Sequence, residues 1–244
     1  MKSINYSKQQ GFTLVEIAIV MVIIGLLLGA VLKGQNLINS ARVRSMADQN
    51  SSVQAAYYGF IDRYRAIPGD MKKESATAAI GTNNLTTSVG GDGNGGLNLN
   101  DYGEASALWA HLSAANFIVG NYAGGAESDI AYTANTVAPV NAFGGRVLLW
   151  RTKSYQSTGS TSATNRLGFI VGRAAPASVL AELDIKVDDG KPESGVLRGT
   201  SGDATPDEGA SVIANADGQS TGCVSSTIWD VSEDAQDCNA IYLY

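Results

Sequence analysis

The stretch Gly11-Phe12-Thr13-Leu14-Val15-Glu16, with the apolar run that continues to Leu32, decides how this chain is organised. Glu16 is the only charged residue between Phe12 and Leu32. About 20 such residues are long enough to cross the hydrocarbon core of a bilayer as an α-helix. A charged side chain inside such a segment is costly and usually functional. The segment therefore predicts a membrane-spanning helix in which Glu16 has a specific role.

The residues before the run have the general plan of an export signal. Residues 1–11 are polar, with Lys2 and Lys8 and no acid. An ordinary secretory signal would be cleaved after the run, and Gly29-Ala30 offers small residues there. The other candidate junction, Gly11-Phe12, precedes the run. A signal anchor or a conventional export signal with one stray acid is the alternative interpretation of this segment.

The sequence from Gly11 to Gly25 resembles the class III signal of type IV pilins and type II secretion pseudopilins. The resemblance implies that residues 1–11 are a leader, which prepilin peptidase removes after Gly11 before it methylates the new N-terminus at Phe12. It also implies that residues 12–34 first anchor the chain in the inner membrane and then form the core of a filament of identical or related pilin subunits.

Within this family, the glutamate at the position of Glu16 is held to pair with the free amine of a neighbouring subunit. An unpaired carboxylate in an apolar medium is unfavourable, and an ammonium group would relieve it. By the resemblance, the Phe12 amine exists only after cleavage. Processing and assembly are therefore expected to be linked through Phe12 and Glu16.

A broader and looser resemblance favours a larger, minor-pilin-like subunit. Four further segments resemble larger pilin-like proteins of Gram-negative bacteria: residues 64–71, 91–95, 107–112 and 184–192. The helix-kinking proline of many type IV pilins is absent from the end of the apolar run. The alternatives are a type II secretion pseudopilin and a membrane-anchored calcium- or ligand-binding module that does not polymerise.

Composition limits the function further. The 244 residues suit an anchor helix and one globular domain. The net charge is −6, or −8 once Lys2 and Lys8 leave with the leader. Direct nucleic-acid binding is not expected, because phosphate contacts need clustered Lys and Arg. His111 is the only histidine, and no catalytic or zinc motif accompanies it, so we expect no enzyme and no required cofactor.

The helical pattern continues beyond the apolar run to Pro68, which disfavours helix in the residue before it. Apolar residues recur three or four apart, which indicates one packed face; they are Ile38, Ala41, Met46, Val53, Tyr57, Phe60 and Tyr64. We expect an α+β pilin fold, in which a long N-terminal helix with a protruding apolar half packs on a mostly antiparallel sheet with decorated loops. Residues 35–244 would form the second half of the helix and the head.

Shorter elements are expected in the head. Asp101 is predicted as an N-cap and Glu104 as its capping-box partner, at the start of a helix over 105–116 with Leu108, Leu112 and Ala115 inward. Further helices are expected at 72–79 and 177–185. Strands are expected at 146–150, 166–171, 195–198, 228–231 and 240–244.

A glycine-rich loop offers a candidate calcium site. Asp92, Asn94, Asn98 and Asp101 follow part of the EF-hand spacing of oxygen ligands. The first-position acid is missing, because Gly90 stands there, and Asp101 is also assigned as a helix cap. A plain series of Gly and Asn turns remains the alternative. Calcium is accordingly the one cofactor that the sequence suggests.

Two other features of the head are candidates for binding or bridging. Asp188 and Asp189 precede Gly190 and form an acidic turn, which either ligates a cation or is only a turn signal. Cys223 and Cys238 are the only cysteines. Their placement resembles the C-terminal disulfide-bounded loop of many type IV pilins, and disulfides persist in exported proteins. Free thiols and a metal pair are the alternatives.

Overall fold

The computed structural model describes residues 12–81, 85, 90–99, 101–132, 136–158, 163–200, 222–225, 227–232 and 235–244. The chain divides into two compact units, Met1–Ala41 and Arg42–Tyr244. The leader predicted at 1–11, including Gly11, lies outside the described residues. The division falls seven residues beyond the predicted end of the anchor at residue 34.

In the first unit, helix α1 presents apolar side chains all round. The helix spans Leu14–Tyr64 and begins two residues after Phe12. The large apolar side chains from Phe12 to Leu32 are 46–90% exposed. Among the described helices, only α1 is long and apolar enough to cross a membrane. Apolar surface of this extent is unfavourable in water and calls for lipid or protein against it.

In the second unit, the remainder of α1 buries one face. Val43, Met46, Val53, Tyr57 and Phe60 are buried, which confirms the predicted stripe from Met46 to Phe60. The stripe begins at Val43 and not at Ile38, which is 54% exposed in the first unit. The helix ends where Arg65 takes a positive φ of 54° and its N–H donates to the Ile61 carbonyl at 2.8 Å. Such a left-handed residue is a common helix terminator.

The head contains the predicted antiparallel sheet, which confirms the α+β class. Its four strands lie in the order β1 (Leu148–Thr152), β2 (Arg166–Ile170), β6 (Ala240–Leu243) and β3 (Leu197–Gly199). Strand β1 begins two residues later than predicted. The strand expected at 228–231 is shorter: β5 (Ile228–Trp229) pairs with β4 (Val224–Ser225) in a separate hairpin that the sequence did not indicate.

Helix α3 (Tyr102–Ala114) lies in the core, and Leu108, Leu112 and the following Ala115 are buried as predicted. Twelve of its 13 residues are buried, and small side chains such as Ala107 and Ala110 let neighbours approach its second side. Three other helices cover the head: α2 (Lys73–Ile80), α4 (Asp129–Tyr132) and α5 (Ala177–Val187). The core cluster joins α1, α3, α5 and the sheet.

The Cys223 and Cys238 sulfurs form a disulfide, with the two Cα atoms 5.7 Å apart. The bridge connects the start of β4 with the segment just before β6, so it closes a loop that contains the β4–β5 hairpin. Both cysteines are buried. The structure thus contains the pairing that the resemblance implied.

Candidate functional site

The N-terminus of α1 is closed by a reciprocal capping box between Thr13 and Glu16. The Glu16 N–H donates to Thr13 Oγ1 at 3.2 Å, and Glu16 Oε2 accepts from the Thr13 N–H at 2.8 Å. The Thr13 hydroxyl also donates to Oε2 at 2.8 Å. A side chain three residues into a helix that reaches back to the cap satisfies backbone donors that the helix itself cannot. The sequence contained this Thr-x-x-Glu signal, but our reading did not use it.

Glu16 therefore has a local structural role besides the intersubunit role that the resemblance implies. The side-chain hydrogen bonds that Glu16 makes with described residues both use Oε2, so they do not engage Oε1. Phe12 is 84% exposed and directly precedes Thr13. Gly11, the other predicted processing residue, lies outside the described part of the chain.

A second site lies in the head, where three carboxylates from three separate segments converge. Asp70 follows α1, Asp92 lies in the glycine-rich loop, and Glu104 is in the first turn of α3. One carboxylate oxygen from each lies within 4.8 Å of the others. Asp70 and Glu104 are buried, whereas Asp92 is exposed. Carboxylate oxygens are the ligands that calcium prefers.

Hydrogen bonds within the loop hold this group together. The two Asp70 oxygens accept from the Asn94 and Gly95 amides, each at 3.0 Å. Glu104 Oε2 accepts from the Asn98 backbone N–H at 2.6 Å. Gly91 is required here, because a Cβ atom on it would lie 2.6 Å from the Asp70 Cα atom. The loop can therefore fold directly over Asp70 and present its amides to the buried acids.

The structure brings together part of the predicted calcium set. Asp92 and Asn98 are in contact, with Asn98 Nδ2 donating to Asp92 Oδ2 at 3.1 Å, and Asn94 donates to the same oxygen at 2.9 Å. Asp101 is not in the group: its Oδ1 caps α3 by accepting from the Glu104 N–H at 3.0 Å. The Asn94 and Asn98 side-chain oxygens accept hydrogen bonds inside the loop. The side-chain amides of Asn94 and Asn98 thus stabilise the turn through hydrogen bonds within the loop.

Asp70 and Glu104 are the two members that sequence reasoning missed. Asp70 lies 24 positions before its partner Asn94, so no local spacing indicated the contact. Glu104 was predicted to complete a capping box with Asp101, but it makes only one of the two hydrogen bonds of such a box. Its N–H bonds to Asp101, while its carboxylate accepts from Asn98 and from the Asp92 N–H.

The pKa values of Glu104 and Asp92 are shifted in opposite directions. Burial raises the pKa of Glu104, and the nearby Asp101 and Asp92 charges act in the same direction against the Asn98 hydrogen bond. The Asn98 side chain is the largest cause of the lowered pKa of Asp92. None of the three acids forms an ion pair with a described Lys or Arg. The group is therefore rich in negative charge.

His111 supports the same region through packing. It is fully buried, and its Nδ1 accepts from the Gly69 N–H at 3.0 Å. Its ring stacks on Phe60 with the centroids 6.3 Å apart. The histidine thus fixes the backbone next to Asp70, a structural role of the kind that the sequence favoured.

The acidic turn at Asp188 and Asp189 gains a third member, since one oxygen from each lies within 4.8 Å of an Asp184 oxygen. Asp184 is the C-terminal acid of α5 and is fully buried. A residue four positions before Asp188 on a helix lies near it. That spacing was the signal that could have identified Asp184.

Comparison with known proteins concerns the N-terminus. Residues 6–32 match the family model described as the prokaryotic N-terminal methylation motif. No curated protein and no solved structure matches the chain. The matched segment includes the Gly11-Phe12 junction, the Thr13–Glu16 capping box and most of the exposed apolar surface of α1. The chain therefore carries the N-terminal signal of a type IV pilin-like or pseudopilin precursor, which suggests a structural subunit processed by prepilin peptidase.

Proposed function

We propose that this chain is a structural subunit of a type IV pilus-like filament, and that it is a minor or specialised one. It is made as a prepilin, cleaved after Gly11 and methylated on Phe12. The chain then resides in the inner membrane of a Gram-negative bacterium until α1 packs with the α1 helices of identical or related subunits in an extracellular pilus.

The observation that carries this proposal is the coincidence of the motif with a helical segment whose large apolar side chains are exposed. The matched segment reaches residue 32, and the large apolar side chains from Phe12 to Leu32 are 46–90% exposed. A membrane would cover such a surface before assembly, and a filament core would cover it afterwards. The 203 residues from Arg42 to Tyr244 form a separate head with its own core, a large displayed domain that supports a specialised subunit.

Two other functions fit the same N-terminus. A pseudopilin of a type II secretion system would assemble in the periplasm and drive secretion without a surface filament. A membrane-anchored calcium-binding module would never polymerise, and the convergence of Asp70, Asp92 and Glu104 is the observation in its favour. Neither alternative requires an enzymatic activity or a bound cofactor other than calcium.

The variant Glu16→Ala distinguishes assembly from anchoring. In a filament subunit, the variant remains in the inner membrane but disappears from the sheared cell-surface fraction. A pseudopilin shows the same dependence in a periplasmic cross-linking ladder and is absent from the sheared fraction even as wild type. A module that does not polymerise shows identical fractionation for wild type and variant, which would contradict the proposal. The matched control is Glu74→Ala, at an exposed site on α2.

A further inference from the structure

The turn after α5 brings three carboxylates close enough to share one cation. The ligand oxygens of Asp184, Asp188 and Asp189 lie within 4.8 Å of one another. Calcium–oxygen distances are about 2.4 Å, so two oxygens on one calcium ion are separated by at most about 4.8 Å. The spacing therefore meets the first geometric requirement of a calcium site.

Asp184 supplies an independent observation, because one of its two carboxylate oxygens has no hydrogen-bond partner among the described residues. The residue is fully buried, and its Oδ2 accepts from Trp229 Nε1 at 2.7 Å. Its Oδ1 is buried and accepts no hydrogen bond of normal geometry from a described residue, although the Gly190 amide lies near the carboxylate. A buried acceptor left without a partner is costly, and the cost is greater for a charged group. Such an oxygen requires a proton, a water molecule or a cation.

The surroundings of Asp184 favour a positively charged partner. The Tyr242 hydroxyl is also buried without a hydrogen-bond partner among the described residues, and its pKa is raised first by burial and second by the Asp184 charge. Burial is the main reason that the pKa of Asp184 is raised to about 6. The negative charges of Asp189 and Asp188 raise this pKa further, whereas hydrogen bonds from the Trp229 indole and the Gly190 amide lower it. No described Lys or Arg forms an ion pair with Asp184, Asp188 or Asp189.

The turn is held in shape before any ligand arrives. Asp189 Oδ1 accepts from the Lys191 N–H at 3.0 Å, and Asp189 Oδ2 accepts from the Ser194 hydroxyl at 2.5 Å. Asp188 Oδ2 accepts from the Val196 N–H and, at 3.2 Å, from the Leu197 N–H. The two bonds to Asp188 Oδ2 use both lone pairs of that oxygen, so Asp188 would ligate a cation through Oδ1, whereas each Asp189 oxygen keeps a second lone pair.

We propose that Asp184, Asp188 and Asp189 form a binding site for a calcium-type divalent cation, with Asp184 Oδ1 as its buried ligand. Water molecules complete the six to eight oxygen ligands that calcium takes. The site is independent of the carboxylates at Asp70 and of the filament function. Trp229 lies inside the Cys223–Cys238 loop, so a bound cation would connect α5, the turn before β3 and the disulfide-bounded hairpin.

Terbium luminescence tests this site directly, because Tb³⁺ takes calcium-like oxygen sites and is sensitised by a nearby indole. The full chain in detergent micelles is excited at its tryptophans and titrated with Tb³⁺, and calcium is then added as the competitor. We expect a saturable signal that calcium displaces. Asp184→Asn keeps an oxygen for the Trp229 indole but removes the charge, and we expect it to weaken Tb³⁺ binding at least tenfold, about the loss seen when a metal-site partner is removed.

Two further variants keep the test decisive. Asp189→Asn changes an exposed residue and retains an oxygen for the Lys191 amide, so it is expected to fold and to weaken Tb³⁺ binding as well. Glu74→Gln, at an exposed position on α2 outside both carboxylate groups, is the control and is expected to leave the tryptophan-sensitised signal unchanged. The proposal is overturned if wild type gives no calcium-competed signal, or if the signal survives in Asp184→Asn and Asp189→Asn. In that event a proton or a buried water satisfies Asp184.

Discussion

The two units of this chain use the same sequence pattern in different ways. Glu16 and Glu104 each stand three residues after a helix cap, Thr13 and Asp101. Glu16 returns the hydrogen bond to Thr13 and completes a capping box. Glu104 does not, because Asn98 and Asp92 of the preceding loop donate to its carboxylate instead. Where a helix end has only local neighbours, the local pattern decides the structure; where a tertiary partner is present, the partner decides.

The largest expected effect separates the charge of Glu16 from its capping role. Glu16→Gln retains a capping-box oxygen but removes the charge. If a neighbouring Phe12 ammonium needs that charge, filament yield in the sheared fraction falls to background in Glu16→Gln as it does in Glu16→Ala. Leaving one partner of a buried ion pair alone costs about 3–5 kcal/mol. Normal yield in Glu16→Gln would mean that the capping role of Glu16, and not its charge, is what assembly requires.

The second effect lies in the head, at the disulfide. Replacing Cys223 and Cys238 together by Ser is expected to lower the free energy of unfolding of the head by about 3 kcal/mol, because an open chain gains entropy when unfolded. Chemical denaturation followed by tryptophan fluorescence measures this loss. The membrane fraction should be unchanged, because membrane association is expected to depend on the apolar segment of α1 and not on the fold of the head. A loss of membrane association would contradict the view that the anchor and the head are stabilised separately.

A smaller loss is expected from the glutamate in the head. Glu104→Ala leaves the Asn98 N–H without its acceptor in a buried setting, so the free energy of unfolding should fall by about 1–3 kcal/mol. Glu104→Gln keeps an acceptor oxygen and should lose less. Thermal unfolding of the head reports both variants. Equal losses in the two variants would show that the charge and not the hydrogen bond stabilises the loop.

The smallest effect concerns Thr13. Thr13→Ala removes the side-chain cap of α1 and should cost about 1 kcal/mol, confined to the first turn. Hydrogen exchange of the amides of residues 14–17 in micelles is expected to accelerate, while the thermal unfolding of the head stays at the wild-type temperature. Faster exchange in α3 would contradict the view that the two helix ends are stabilised separately.

The sequence predicted the long helix and its apolar half because both depend on local pattern. The run to Leu32 and the stripe from Met46 to Phe60 were readable from composition and spacing alone. The family resemblance identified the motif residues Phe12 and Glu16. The Thr-x-x-Glu pattern is a sequence signal for the capping role of Thr13, but that role was not predicted.

The head was less predictable because its sites depend on contacts between distant segments. Asp70 meets Asn94 across 24 positions, and Trp229 meets Asp184 across 45. No periodicity indicates such pairs. For α3, the sequence indicated only that Leu108, Leu112 and Ala115 point inward, since the small residues that allow burial on every side are also ordinary helix formers. The β4–β5 hairpin has strands of only two residues, too short to give an alternating pattern.

The central claim is that the chain is processed at the Gly11-Phe12 junction and then assembled. The most direct measurement is the mass of the N-terminal peptide from protein recovered in a sheared cell-surface fraction. We expect a chain that begins at Phe12 and carries one added methyl group. A chain that begins at Met1 or near Val31, and that is missing from the sheared material, would contradict it.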